Sequence, residues 1–62
     1  MIVKGSIVKV TRDWLPQLVN KYGVVTNIDG FYDVFVRLFD VYDSALHHSE
    51  WAFQLNQLEE IS

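Results

Sequence analysis

Apolar and polar residues alternate in two stretches of this chain, residues 3–12 and 23–39, and together they predict three short β-strands. In Ile7-Val8-Lys9-Val10-Thr11-Arg12, Val8 and Val10 alternate with Lys9 and Thr11, the period-two pattern of a strand buried on one face. Farther along, two β-rich runs flank Asp29-Gly30. A type I′ turn needs positive φ at both central residues and Asp-Gly tolerates it, so the dipeptide predicts a two-residue hairpin turn. Val25 and Ile28 are three positions apart rather than two, which points to a bulge or a sharp coil in the strand that Gly23 opens. After the turn, Val34, Val36 and Leu38 share one face; Phe35, Arg37 and Phe39 share the other. Both trios are apolar-rich. Placing the first inside lets Arg37 reach water and leaves Phe35 and Phe39 flanking a cation on the outer face.

The connections follow from their breakers. Pro16 cannot donate to a ladder and biases Leu15 away from the α region, so Asp13-Trp14-Leu15-Pro16 ends the first strand. Residues 13–21 then read as a loop in which Gln17-Leu18-Val19-Asn20 has room for one helical turn, too short to stand alone. Residues 40–50 are polar, acidic and without period, a second long loop. Trp51-Ala52-Phe53 reads as a short strand with Trp51 and Phe53 on one side. Gln54 to Gln57 fits a single 3₁₀ turn, and Leu58 to Ile61 closes as a fifth strand. This order predicts one all-β domain over residues 1–62, a five-stranded SH3-like small barrel with a 3₁₀ turn before the last strand. Its expected core is Val8, Val10, Val25, Ile28, Val34, Val36, Phe53, Leu58 and Ile61.

At 62 residues the chain is near the lower limit for a single unstapled core, and it has no cysteine, hence no disulfide, thiolate ligand or cysteine nucleophile. Four Phe, two Trp and three Tyr supply burial area that short aliphatics would not, yet so few residues cannot cover every ring. No apolar run reaches the roughly 18–20 residues of a membrane-spanning helix and no leader pattern is visible, so a cytoplasmic protein without direct membrane insertion is the expectation. Net charge is −3, unevenly spread: residues 1–12 hold Lys4, Lys9 and Arg12 with no acid, whereas residues 38–62 hold five acids and no cation. Five cations against eight acids is a poor basis for general nucleic-acid binding, where affinity scales with the phosphates neutralised.

Chemistry-bearing groupings are few. His47-His48, with Asp43 and Glu50 nearby, is the one arrangement suggesting metal, but adjacent histidines on a strand point to opposite faces, and solvated loop histidines are the simpler account. Glu59-Glu60 would likewise diverge, no serine or lysine has an activating base, and Gly5, Gly23 and Gly30 are spread one per turn. No cofactor, metal or catalytic residue is expected. The aromatics carry more. Trp14 lies in the first loop, Tyr42 in the second and Trp51 just beyond it; in such a barrel the loops approach one another, so these rings would line a groove with Phe39 at its edge. Charge-framed aromatic anchors concentrate binding energy in protein interfaces, although capping an undersized core is the plainer role for Trp14 and Trp51. Lys4, Lys9, Arg12 and Arg37 form a candidate basic face; Lys9 and Arg12, three apart, share a strand face only if the chain twists.

The opening Met1-x-x-Lys4-Gly5-Ser6-x-Val8-Lys9-Val10-x-Arg12 resembles the start of the photosystem I reaction-centre subunit IV family. Gly23-x-Val25-x-x-Ile28-Asp29 is similar to its second strand, Val34-x-Val36-Arg37 to its third, and Phe53-x-x-x-x-Leu58-x-x-Ile61 to its last turn and strand. Related small SH3-like subunits of photosynthetic electron-transfer complexes look alike in the same segments. The resemblance implies a non-enzymatic accessory subunit, peripheral on the cytoplasmic side of a larger redox complex, that assists an acidic partner such as ferredoxin. By position, Lys4, Lys9, Arg12 and Arg37 would face that partner. The acidic C-terminal third and the loop with Asp43 and His47-His48 depart from the family. The competing expectation is a small-barrel nucleic-acid-binding protein of the translation type, its exposed rings stacking on bases; a third is a metal- or ligand-regulated loop at His47 and His48.

Overall fold

The computed structural model describes residues 1–13, 15–30, 33–41 and 49–62. Trp14, Tyr42, Asp43, His47 and His48 fall outside them, and with them two of the expected groove aromatics and the histidine pair.

Five strands form one antiparallel sheet in the order β4-β3-β2-β1-β5: β1 (Ile7–Val10), β2 (Tyr22–Ile28), β3 (Val34–Leu38), β4 (Glu50–Phe53) and β5 (Leu58–Glu60). The sheet is open, with β4 and β5 at its edges. Two 3₁₀ turns, Pro16–Leu18 and Leu55–Gln57, complete the regular structure. The alternation in β1 and β3 places its residues as expected: Val8 and Val10 are fully buried, and so are Val34 and Val36, with Leu38 at 2% exposure. Val25, Phe53 and Leu58 join them. Cross-strand partners knit this side together, Val36 facing Val25 on one flank and Trp51 on the other. Each fully buried valine contributes about 1.5–3 kcal/mol of transfer free energy.

The expected bulge in β2 is present, as a register shift between Val25 and Asn27. It realigns Ile28 with Val34, but Ile28 stands at the end of the ladder beside the hairpin connection and remains 36% exposed, so it is not core. Ile61 is also outside the core, at 50% exposure. With Leu58 facing inward, period two turns residue 61 outward, and no bulge intervenes to reverse it. Leu18 takes the vacated role: the first 3₁₀ turn drives it to 2% exposure beneath the loop.

The hairpin differs from the expected two-residue turn. Its last pair is Ile28 with Val34, and the Asp29 N–H donates to the Asp33 carbonyl at 2.8 Å, so the connection spans residues 29–33. Gly30 has positive φ (+97°) but Asp29 does not, which rules out type I′ geometry. The first strand is also shorter than its alternation. Residues 3–6 instead form a turn in which Gly5 has φ +94° and the Ser6 N–H donates to the Val3 carbonyl; the Ser6 hydroxyl accepts the Val3 N–H at 2.9 Å. Gly23 serves close approach rather than a special φ: a Cβ there would lie 2.4 Å from the Arg37 carbonyl oxygen.

Candidate functional site

The loop between β1 and β2 is fixed at both ends. Leu15 is extended (φ −98°, ψ 99°), as a residue preceding proline should be, and Pro16 begins the 3₁₀ turn that its locked φ favours. The Leu18 N–H returns to the Leu15 carbonyl, and Asn20, in the left-handed region at φ 68°, turns the chain so that its N–H reaches the Val10 carbonyl at 2.8 Å.

Against the start of this loop stands the second 3₁₀ turn, and Gln57 joins the two. Its Nε2 donates to the Arg12 carbonyl at 3.1 Å and approaches Asp13 Oδ1 at 3.5 Å, while its Oε1 accepts the Gln54 N–H at 2.8 Å. Gln54 answers with its own side chain to the Gln57 backbone, a reciprocal cap. The Gln57 carbonyl accepts both the N–H and the hydroxyl of Thr11, at 2.8 and 3.0 Å. Both polar ends of one side chain thus strap the 12–13 segment to the turn before β5.

Between loop and strap lies an open groove of about 840 Å³. Leu18 and Phe53, almost fully buried, form its base; Arg12, Asp13 and Leu15 line it from the loop; Trp51 and Ala52 from β4; Gln54, Asn56 and Gln57 from the second 3₁₀ turn and its cap. Trp51 and Leu15 are half-buried against the core. The surface is mixed: apolar carbon at the base, an indole on the β4 side, and amide donors and acceptors with one cation and one carboxylate around them. It suits an extended segment with both backbone amides and side chains to place. Among the described residues no group of three or more His, Asp or Glu could hold a metal ion, and no helix is long and apolar enough to cross a membrane.

Of the residues singled out in the sequence, the groove unites Arg12 and Trp51. The others lie elsewhere. Lys9 is on the outer face of β1, between Tyr22 on β2 and Glu59 on β5, with its Nζ 5.9 Å from the Tyr22 ring centroid. Arg37 is on the same outer face of β3, opposite Val24 and Glu50. Phe39 follows β3 and is 56% exposed. Lys4 is exposed in the N-terminal turn, at the other end of β1 from Arg12. The four cations are therefore not gathered on one face, and three have an acid beside them or directly opposite. Gln57 and Tyr22 were not singled out. Gln57 carries no sequence signal, since its importance is a contact 45 residues distant in the chain. Tyr22 was legible: extending β2 back by one residue from Gly23 sets it on the outer face.

A scan of protein-family models, a search of curated proteins and a search of solved structures each return no match. Fold and site define a small all-β protein with a mixed polar and aromatic groove.

Proposed function

We propose that this chain is a non-enzymatic protein-binding module, an SH3-like small barrel in architecture, that docks on a larger partner through the groove between its first loop and the β4–3₁₀ segment. The barrel reading is supported by the strand order β4-β3-β2-β1-β5 with a 3₁₀ turn immediately before the last strand. The binding reading is carried by one observation: Arg12 and Trp51, remote in sequence, line a single open groove whose two sides Gln57 ties together. A preorganised groove loses less entropy on binding than a floppy one, and a half-buried indole near a cation is the kind of anchor on which interface energy concentrates.

In its sharper form the module is a cytoplasmic subunit, peripheral on a membrane electron-transfer complex, and its partner is an acidic redox protein such as ferredoxin. This form is supported by the resemblance to the photosystem I subunit IV family, and it calls on Lys4, Lys9, Arg12 and Arg37. An NMR titration of the labelled chain tests both forms. An acidic ferredoxin should move the amides of Arg12, Lys9 and Arg37; unmoved resonances there retire the redox role. A displayed library of extended peptides should yield binders lost on Arg12→Ala and weakened on Trp51→Phe; no binder, or binders indifferent to both changes, retires the groove. Binding of a single-stranded oligonucleotide that weakens steeply with salt would replace both forms with the nucleic-acid reading.

A further inference from the structure

The two edges of the sheet are unlike. On β5 the Leu58 N–H is taken up by the Leu55 carbonyl, and Glu59 and Glu60 follow it, charges of the kind that guard an edge against further pairing. The middle of β4 carries no such guard: Ala52 stands there, exposed. Its register fixes which backbone groups face outward. The Leu38 N–H donates to the Ser49 carbonyl at 2.9 Å, a hydrogen-bonded pair one step beyond Arg37 and Glu50. Such pairs alternate along an antiparallel ladder, so Val36 with Trp51 and Val34 with Phe53 are of the same kind. Ala52, opposite Phe35, falls between them and turns its N–H and carbonyl away from β3. Among the described residues no strand lies on that side, and nothing bonds to either group. Ala52 also lines the groove, so the free edge opens into it.

Resting on the groove reading, we propose that the occupant is an extended acidic segment of a partner protein, and that it adds to β4 as an antiparallel strand. Backbone chemistry argues for the strand. An antiparallel neighbour exchanges both hydrogen bonds of Ala52 through a single residue. The residues on either side of that one fall beside Trp51 and Phe53, on the core side, where an apolar side chain covers the half-buried indole. Charge argues for the acid and fixes its place. The Arg12 guanidinium is exposed, and no ion pair among the described residues uses it, while its chain neighbour Asp13 is half-buried. Arg12 lies toward the Gln54 end of β4, because Gln57 bonds to both the Arg12 carbonyl and the Gln54 N–H. Glu50 stands at the opposite end. An antiparallel segment passes the Gln54 end first, so its carboxylates precede its apolar residues and stay clear of Glu50.

The probe is a synthetic peptide, capped at both ends, in which two glutamates precede alternating threonine and leucine; its control holds the same residues in reverse order. Calorimetric titration of the full chain should show the first peptide binding more tightly than the second. N-methylation of one peptide nitrogen at a time should weaken binding at every second position only, because alternate N–H groups face β4. Ala52→Pro removes an N–H that no strand of the sheet uses, so the circular dichroism spectrum should match wild type while the dissociation constant rises about ten-fold, the effect of leaving one carbonyl unpaired. The methyl scan uses the wild-type chain and decides the question even where Ala52→Pro perturbs the fold. Capture indifferent to peptide order, methyl position and Ala52→Pro overturns the added strand and leaves the groove standing as a site. No capture of either peptide, or of any member of a displayed library, overturns both. A mass of twice 7.2 kDa without peptide, lost on Ala52→Pro, would assign the edge to a second copy and also overturn the proposal.

Discussion

Replacing Gln57 with alanine should uncouple the first loop from the turn before β5. The wild-type side chain makes two hydrogen bonds of good length, 2.8 Å from the Gln54 N–H and 3.1 Å to the Arg12 carbonyl; the 3.5 Å approach to Asp13 is too long to count. A net hydrogen bond is worth about 0.5–1.5 kcal/mol, and Gln57 is half-buried, so water recovers part of each; the expected loss is roughly 1–2 kcal/mol. The bonds that the Thr11 N–H and hydroxyl donate to the Gln57 backbone carbonyl survive the substitution, so β1 and β5 stay paired and the effect is confined to the strap. In a domain of this size each kcal/mol moves the melting midpoint by about 4–8 °C, so Tm should fall by about 4–16 °C. Thermal melts by circular dichroism measure the loss, and amide shifts of Arg12 and Asp13 report whether the loop has moved. Asn56→Ala, an exposed change on the same turn, is the control and should stay within about 0.5 kcal/mol. A Gln57→Ala protein that melts like wild type, with Arg12 and Asp13 unshifted, would refute the strap.

Further outcomes follow from the same geometry. Gly23→Ala should cost about 2–3 kcal/mol, because a methyl 2.4 Å from the Arg37 carbonyl must push β2 from β3. Gly30→Ala meets nothing within 4 Å and should lose only the left-handed penalty of about 1–2 kcal/mol; urea unfolding separates the two, and equal losses would contradict the crowding argument. Leu18→Ala should cost about 2–4 kcal/mol as a cavity beneath the loop, and Ile28→Ala less than about 1, its side chain being partly in water; the reverse order would return Ile28 to the core. Arg12→Ala should remove peptide capture at the groove with Tm nearly unchanged, since the guanidinium is exposed while the strap uses only the backbone carbonyl of that residue.

Much of the sheet was legible because alternation is a local signal. Val8 and Val10 against Lys9 and Thr11, and Val34, Val36 and Leu38 against Arg37, required only period two and a place for the cation. The bulge was legible from the three-residue spacing of Val25 and Ile28. Burial at the ends was not, because it depends on where a ladder stops: Ile28 has the right register yet the wrong position, and Ile61 has the wrong parity. The hairpin turn misled because Asp-Gly reports what a turn tolerates, whereas the register chooses the loop, and pairing Ile28 with Val34 needs five connecting residues. Leu18 escaped because a loop leucine becomes core only when Pro16 and Asn20 fold it back, a tertiary result. Of the site, Arg12 and Trp51 were chosen from their chemistry, but that they share a groove follows from Gln57, whose contacts no local pattern encodes.

An exposed aromatic on so small a protein is weak evidence by itself. A chain this short cannot enclose every ring it carries, so exposure at Tyr22 or Phe39 singly would be expected of any such fold. Placement carries the information. Tyr22 opens β2 and Phe39 follows β3, so both rings stand at strand ends, yet with Lys9 they occupy consecutive register positions on the face opposite the core. The groove lies elsewhere, built from the first loop and the β4–3₁₀ segment, and it shares none of these residues. A change on the outer row, such as Phe39→Ser, should therefore leave peptide capture intact, while Arg12→Ala removes it; capture lost on the outer-row change would mean that one structural change reaches both places, and the groove would not be a separate site.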